Sequence, residues 1–228
     1  MSDRATSRRR GIVPGLLAIA GSGVVFLVPF AFIVMQSLKT REEAALFTFS
    51  LPSQVMLVDN VRAAIEARDY MLVIAFINST VLTVASVSIL VVLGAMAAYV
   101  LQRRASRLNP LIHGLVLAGL IIPPAVVPTI WVLQAVGLFK TLPGLSLIEV
   151  AFGLAFTVLT VRAFVGSIPR ELDEAAIIDG AGPIRLFFRV IFPLLRPVLF
   201  TIIVVQSVFV FNDFQNPLYF LPGDANAT

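Results

Sequence analysis

The sequence predicts an all-α integral membrane protein, and three observations carry that reading. Of 228 residues, 58% are hydrophobic and 13% charged, and the mean hydropathy is +0.96. A water-soluble domain of this length needs a polar coat, and there is too little charge here to supply one. Five apolar segments are each long enough to cross a bilayer as a helix, which takes about 20 residues. The basic residues sit in short loops between those segments and are shared unequally between the two sides.

The first span is expected at about 12–37, behind a basic N-terminus at 1–11. "SRRRGIVPGLLAIAGSG" also has the look of a secretory leader with "AIA" as a cleavage site. However, Pro14 interrupts the apolar run before that site and the run continues past it, so an uncleaved helix fits better. The remaining spans are expected at about 71–102, 110–136, 145–167 and 191–214. With the N-terminus taken as cytoplasmic, the inner side holds Arg4, Arg8, Arg9, Arg10, Arg103, Arg104, Arg107, Arg162, Arg170, Arg185, Arg189 and Arg196. The outer side then holds only Lys39, Arg41, Arg62, Arg68 and Lys140. That bias matches the positive-inside rule, and Arg103, Arg104 and Arg107 read most simply as topology signals. Because the excess charge is scattered through loops, nucleic-acid binding is not expected. The absence of cysteine excludes disulfides, thiolate metal sites and cysteine nucleophiles. The single histidine, His113, argues against a histidine-built metal site and receives no role, and no cofactor is expected.

Between the fourth and fifth spans lies "PRELDEAAIIDGAGP" (169–183), with four acids. Pro169 suits a first helical turn, and Glu171, Asp173 and Glu174 place negative charge at the positive end of a helix dipole. Leu172, Ala175 and Ala176 fall on one side at helical spacing, Gly180 suits a left-handed helix stop, and Pro183 starts the next helix. The expectation is a helix of about three turns, a glycine turn and a second helix re-entering the membrane. A loop lying on lipid would carry Lys and Arg, and anionic lipid would repel these acids. A protein partner on the cytoplasmic side fits better.

The same residues resemble the EAA signature of permease subunits of ABC importers: Glu-Ala-Ala, three residues, Gly, nine residues, Ile, one residue, Leu-Pro. Here it reads Glu174-Ala175-Ala176, Gly180, Val190 and Phe192-Pro193, with apolar exchanges at two positions. The longer strings "SIPRELDEAAIIDGAGPIRLFFRVIFPLLRP", "NSTVLTVASVSILVVLGAMAAYVLQR" and "IIPPAVVPTIWVL" are similar to the carbohydrate-uptake branch. The resemblance covers residues 12–222 and implies an importer transmembrane domain whose 168–190 loop is cytoplasmic. Glu174, Ala175, Ala176, Asp179 and Gly180 would form a coupling helix docked on an ATP-binding subunit. It implies a second permease subunit, two ATP-binding subunits and an extracytoplasmic solute-binding protein as partners in a prokaryotic inner membrane. The chain would be a transport subunit and not an enzyme, and it carries no Gly-x-x-x-x-Gly-Lys-[Ser/Thr] loop for ATP phosphates. Members of that branch have six spans, so the expectation is a tail at 223–228 and a chain truncated before the sixth.

For the substrate pathway, "QSVFVFNDF" offers neutral hydrogen-bonding groups beside aromatic faces, which a sugar needs. Gln206, Asn212 and Asp213 are the candidates, against the plainer reading of Asn212 and Asp213 as a helix end meeting water. Asn78, Ser79 and Thr80 read as bonds across helices. Pro123, Pro124 and Pro128 read as kinks or as a bend that shapes a cavity. Trp131 fits an interfacial anchor, and Glu149 is expected to reach water or pair with Lys140. Asn78-Ser79-Thr80 and Asn226-Ala227-Thr228 match the glycosylation triplet by chance. Two alternatives stay open: the same mechanism with a polyamine, amino acid or oxyanion as cargo, and a membrane scaffold that moves nothing. A gradient-driven carrier is disfavoured, because the spans lack interior ionisable groups.

Overall fold

The computed structural model describes residues 3–223, with side chains from Gly15 onward apart from Leu16. The expected tail beyond Gly223, the Asn226-Ala227-Thr228 triplet and the side chains of Arg4, Arg8, Arg9 and Arg10 lie outside the described residues. Within them the chain is helical and divides after Leu72 into two compact units.

The first unit holds α1 (Asp3–Ser37), α2 (Arg41–Ala45) and the start of α3 (Leu57–Arg103). The apolar part of α1, Leu17–Ser37, is long enough to span a membrane and holds no buried residue. Such a helix is stable only where lipid or another protein covers it. Thr40 caps α2 by accepting the Glu43 N–H. The loop after it is tied back by Lys39, which is 1% exposed and donates from Nζ to the Thr48 carbonyl at 2.6 Å. Asn60 donates to the carbonyls of Ser37 and Lys39 at 2.9 and 2.8 Å. The helical geometry of α3 breaks at Ala67–Tyr70, where Arg68, Asp69 and Tyr70 all have φ between 50° and 63°. This left-handed run of ordinary residues separates the first turns of α3 from the stretch expected as a span from near residue 71.

The second unit is built on α6 (Leu142–Ser167), whose Thr141 N-cap and Pro143 fix its start. It lies against α4 (Asn109–Ile121), α10 (Arg196–Phe211) and α11 (Gln215–Phe220). The shared interior holds Ala95, Ala98, Leu145, Val158, Val161, Ile191, Leu195 and Ile202. Apolar burial alone gives little drive inside lipid, so small residues and hydrogen bonds set the close approaches. Ser86 of α3 meets Ser146 of α6 at 2.9 Å between hydroxyls. A Cβ at Gly94 would stand 2.5 Å from the Thr157 methyl. Thr80 differs from expectation, because its hydroxyl donates to Phe76 four residues back in its own helix, which satisfies it without a partner helix.

Two expected spans are not single rods. The third divides into α4 and α5 (Val126–Ala135), bent by 115°. Pro123 and Pro124 sit in the break, where ring and missing N–H prevent a continuous ladder. The fifth divides at Leu195, where Pro183–Leu194 meets Arg196–Phe211 at 77°. Pro193 and Pro197 flank that corner. Among the described residues, three helices are long and apolar enough to cross a membrane, and five spans result if each bent pair is one.

Because a Cβ at Gly94 would press on the Cγ2 and Cβ of Thr157, which is fully buried and bonded to the Gly153 carbonyl, Gly94→Leu should cost about 1–3 kcal/mol by overpacking. The midpoint of thermal unfolding in detergent should fall, whereas Gly114→Leu, which meets nothing within 4 Å, should leave it unchanged.

Candidate functional site

The acidic interruption folds as α7 (Glu171–Ile178), a helix of 8 residues and not the three turns expected. Pro169 precedes it by two positions, and Arg170 is its N-cap. The helix stops as the sequence requires. Gly180 has φ +78°, the Gly180 N–H donates to the Ile177 carbonyl and the Ala181 N–H to the Ala176 carbonyl, both at 2.9 Å. These two bonds close the last turn of the helix. Pro183 then opens α8 (Pro183–Leu186), followed by a π-helical turn at Phe187–Ile191 and the short α9 (Phe192–Leu194).

The buried side of α7 is shifted by one residue from the expected Leu172, Ala175 and Ala176. Asp173 is 8% exposed and Ala176 9%, whereas Leu172 and Ala175 face outward. The reason is a charge partner. Asp173 Oδ1 accepts the Tyr99 hydroxyl, and Asp173 Oδ2 faces Arg103 Nε at 3.0 Å. The latter two atoms are buried and off the line of a hydrogen bond, so Coulomb attraction holds that contact. Arg103 also donates from Nη2 to the Ile168 carbonyl at 2.9 Å. Arg103 is therefore a structural ion-pair residue as well as a loop charge. Asp173 lies three residues before Ala176, yet nothing local pointed to a cationic partner 70 residues upstream.

With Asp173 turned inward, Glu174 and Ala175 lie on the opposite side of α7, and Asp179 and Gly180 at its end are exposed as well. Ile178, at 85% exposure, stands among them. Of the five residues singled out for coupling, only Ala176 belongs to the inner face. His113 acquires a structural place too: Arg162 Nη1 meets its Nδ1 at 3.0 Å, while Arg162 Nε donates to Gln102 Oε1 at 3.0 Å.

At the other end of α10, a groove of about 760 Å³ brings Gln206, Asn212 and Asp213 together with Glu149, Phe152, Phe156 and Asn216. Each polar group is already engaged in the fold. Gln206 is buried and donates to the Gly153 carbonyl at 3.2 Å. Asn212 donates to Val208 at 2.8 Å, and Asp213 Oδ1 accepts the N–H groups of Gln215 and Asn216 at 2.8 and 3.3 Å. Asp213 thus caps the turn into α11. Glu149 is 7% exposed and accepts Asn216 Nδ2 at 3.0 Å, so its partner is Asn216 and not Lys140. Sequence reading missed Asn216 because it follows the apparent end of the fifth span, and α11 folds it back onto α6. Trp131, 65% exposed, remains on the surface of α5.

The pattern of binding-protein-dependent transport system inner membrane components matches residues 90–225, which include α7, its ion pair and the groove. The chain belongs to this family. A curated relative, the diacetylchitobiose uptake system permease protein NgcG of Streptomyces coelicolor, is 36% identical over 218 residues, covering 94% of this chain and 70% of the relative. The melibiose/raffinose/stachyose import permease protein MelC of Bacillus subtilis is 39% identical over 150 residues, covering 64% of this chain and 54% of its own. In fold, the permease chain is similar to a bacterial ABC transporter involved in the import of alginate, with TM-score 0.80 at 21% identity over 97% of this chain and 77% of that one. It is a multi-pass membrane protein of a binding-protein-dependent transport system.

Glu149→Leu would leave the half-buried Asn216 amide without its acceptor and should cost about 1 kcal/mol. Thermal unfolding in detergent should separate it from Glu149→Gln, whose amide oxygen still accepts the bond and whose midpoint should stay close to the parent's.

Proposed function

We propose that this chain forms half of the membrane pathway of an ATP-driven sugar importer and couples to a separate ATPase subunit through residues 168–190. The observation that carries the coupling is the two-sidedness of α7: an acid buried against Arg103 fixes the helix, so Glu174, Ala175, Asp179 and Gly180 stand outward on a rigid mount. Exposed Ile178 adds an apolar centre to this acidic rim, the composition of a protein interface and not of a solvated loop. Closure of two ATPase subunits on ATP would push this face, and the helices joined to it would rock as rigid bodies.

A sugar cargo is supported by two observations. The named cargoes of NgcG and MelC are oligosaccharides. The groove between α6 and α10 combines ring faces with amide and carboxylate groups, as a neutral polyhydroxyl solute requires. On this reading the chain works with a second permease and an extracytoplasmic solute-binding protein in a prokaryotic inner membrane. Its N-terminus and α7 are cytoplasmic, as the basic loop residues favour.

In the whole transporter, Glu174→Lys and Gly180→Pro should each lower sugar uptake roughly tenfold or more, because a reversed charge or a broken helix stop spoils the docked face. Membrane insertion should be unchanged. The chain has no cysteine, so Ala175→Cys offers a unique crosslinking handle that should capture the ATPase subunit. Normal uptake by both variants, or no capture, refutes the coupling reading.

A further inference from the structure

We propose that Arg103, Asp173 and Tyr99 form a latch that makes α3 move with the coupling helix. They act as positioning residues for transport and not as docking residues; the inference rests on the coupling reading given above. Chain connectivity joins α7 to α6 on one side and to the helices after Pro183 on the other. It does not join α7 to α3, whose last turn lies about 70 residues upstream. A push on α7 would therefore reach α6 and α10 through the backbone, and α3 only through side chains.

The latch supplies that route. Arg103, at the end of α3, meets Asp173 of α7 at 3.0 Å and the terminal carbonyl region of α6 at Ile168, 2.9 Å away. Tyr99, one turn earlier, donates to the same carboxylate and packs its ring 5.6 Å from Phe187, at the start of the π-helical turn. The neighbouring Gln102 binds Arg162, which in turn meets His113 of α4. Two consecutive residues of α3 thus gather α4, α6 and α7 at one end of the unit. Holding a helix of 8 residues in place did not require charge, since an apolar residue beside Ala176 would pack at lower desolvation cost. A charged pair with a second hydroxyl contact adds direction: it resists sliding and rotation, which is what transmitting displacement demands.

The test uses the whole transporter in proteoliposomes, with sugar uptake and ATP hydrolysis measured together. Asp173→Asn and Arg103→Gln should keep the ATPase subunit bound and hydrolysing. Uptake per ATP should fall roughly fivefold or more, with recovery in the charge-swapped pair Asp173→Arg, Arg103→Asp. A second arm uses the purified full-length chain without ATPase: trypsin should cut at Arg170 and Arg185 several-fold faster in both single variants. Unchanged uptake per ATP together with unchanged cleavage overturns the latch. Loss of the ATPase subunit from Asp173→Asn as severe as from Glu174→Lys also overturns it, because Asp173 would then be a docking residue. If the parent transporter holds no ATPase subunit, the coupling reading fails, and the cleavage rates alone decide the latch.

Discussion

Hydrocarbon offers no hydrogen bonds, so each polar group carried into the bilayer must find its partner within protein. Most of what distinguishes this chain from a set of greasy rods follows from that constraint. Ser86 pairs with Ser146, Gln206 with the Gly153 carbonyl, and Glu149 with Asn216. Threonines 80, 83 and 157 return their hydroxyls to their own helices. Each bond between helices is worth only about 1 kcal/mol, but each is directional, whereas apolar packing in lipid is nearly indifferent to rotation. The polar residues therefore select one arrangement among many of similar apolar burial.

The ion pair beneath α7 is the most demanding instance. Removing one partner of such a buried pair costs about 3–5 kcal/mol, whereas replacing both by well-packed apolar residues is often neutral. The pair is thus poor value as glue and effective as a locator. It explains why an acid-rich segment of 8 residues, too short to be helical alone, holds a defined orientation. Once Asp173 and Ala176 are fixed inward, the helical period turns Glu174 and Ala175 away.

The sequence was most informative where one local rule acted alone. Segment length and hydropathy located the long apolar helices, and Gly180 and Pro183 marked where α7 stops and its successor starts, because those signals depend on backbone chemistry within a few residues. It was least informative where distant partners decide. Asp173 reads like its acidic neighbours until Arg103 is placed beside it, and Asn216 looks like tail until α11 folds back toward Glu149. The bend of 115° between α4 and α5 lay in between: the prolines announced an interruption, but its size depends on what each half packs against. Of the five residues proposed for coupling, four are exposed. The three proposed for the pathway share one groove, although Asp213 also does the plain work of capping the turn into α11.

The π-helical turn at Phe187–Ile191 carries a consequence for how this chain can change. A turn of that kind holds one residue more than an α-helix needs, so it takes up that residue as a local bulge and leaves the downstream stripe in step with what precedes it. Leu195, Val198, Leu199, Ile202 and Gln206 are all buried on that stripe. Deleting one residue within the turn would restore α-geometry with the stripe still in step. The same deletion within α10, ahead of Gln206, would swing the rest of the helix by about 100° and turn Gln206 away from Gly153. The turn is a slack link, able to give up a codon that the rods on either side of it must keep.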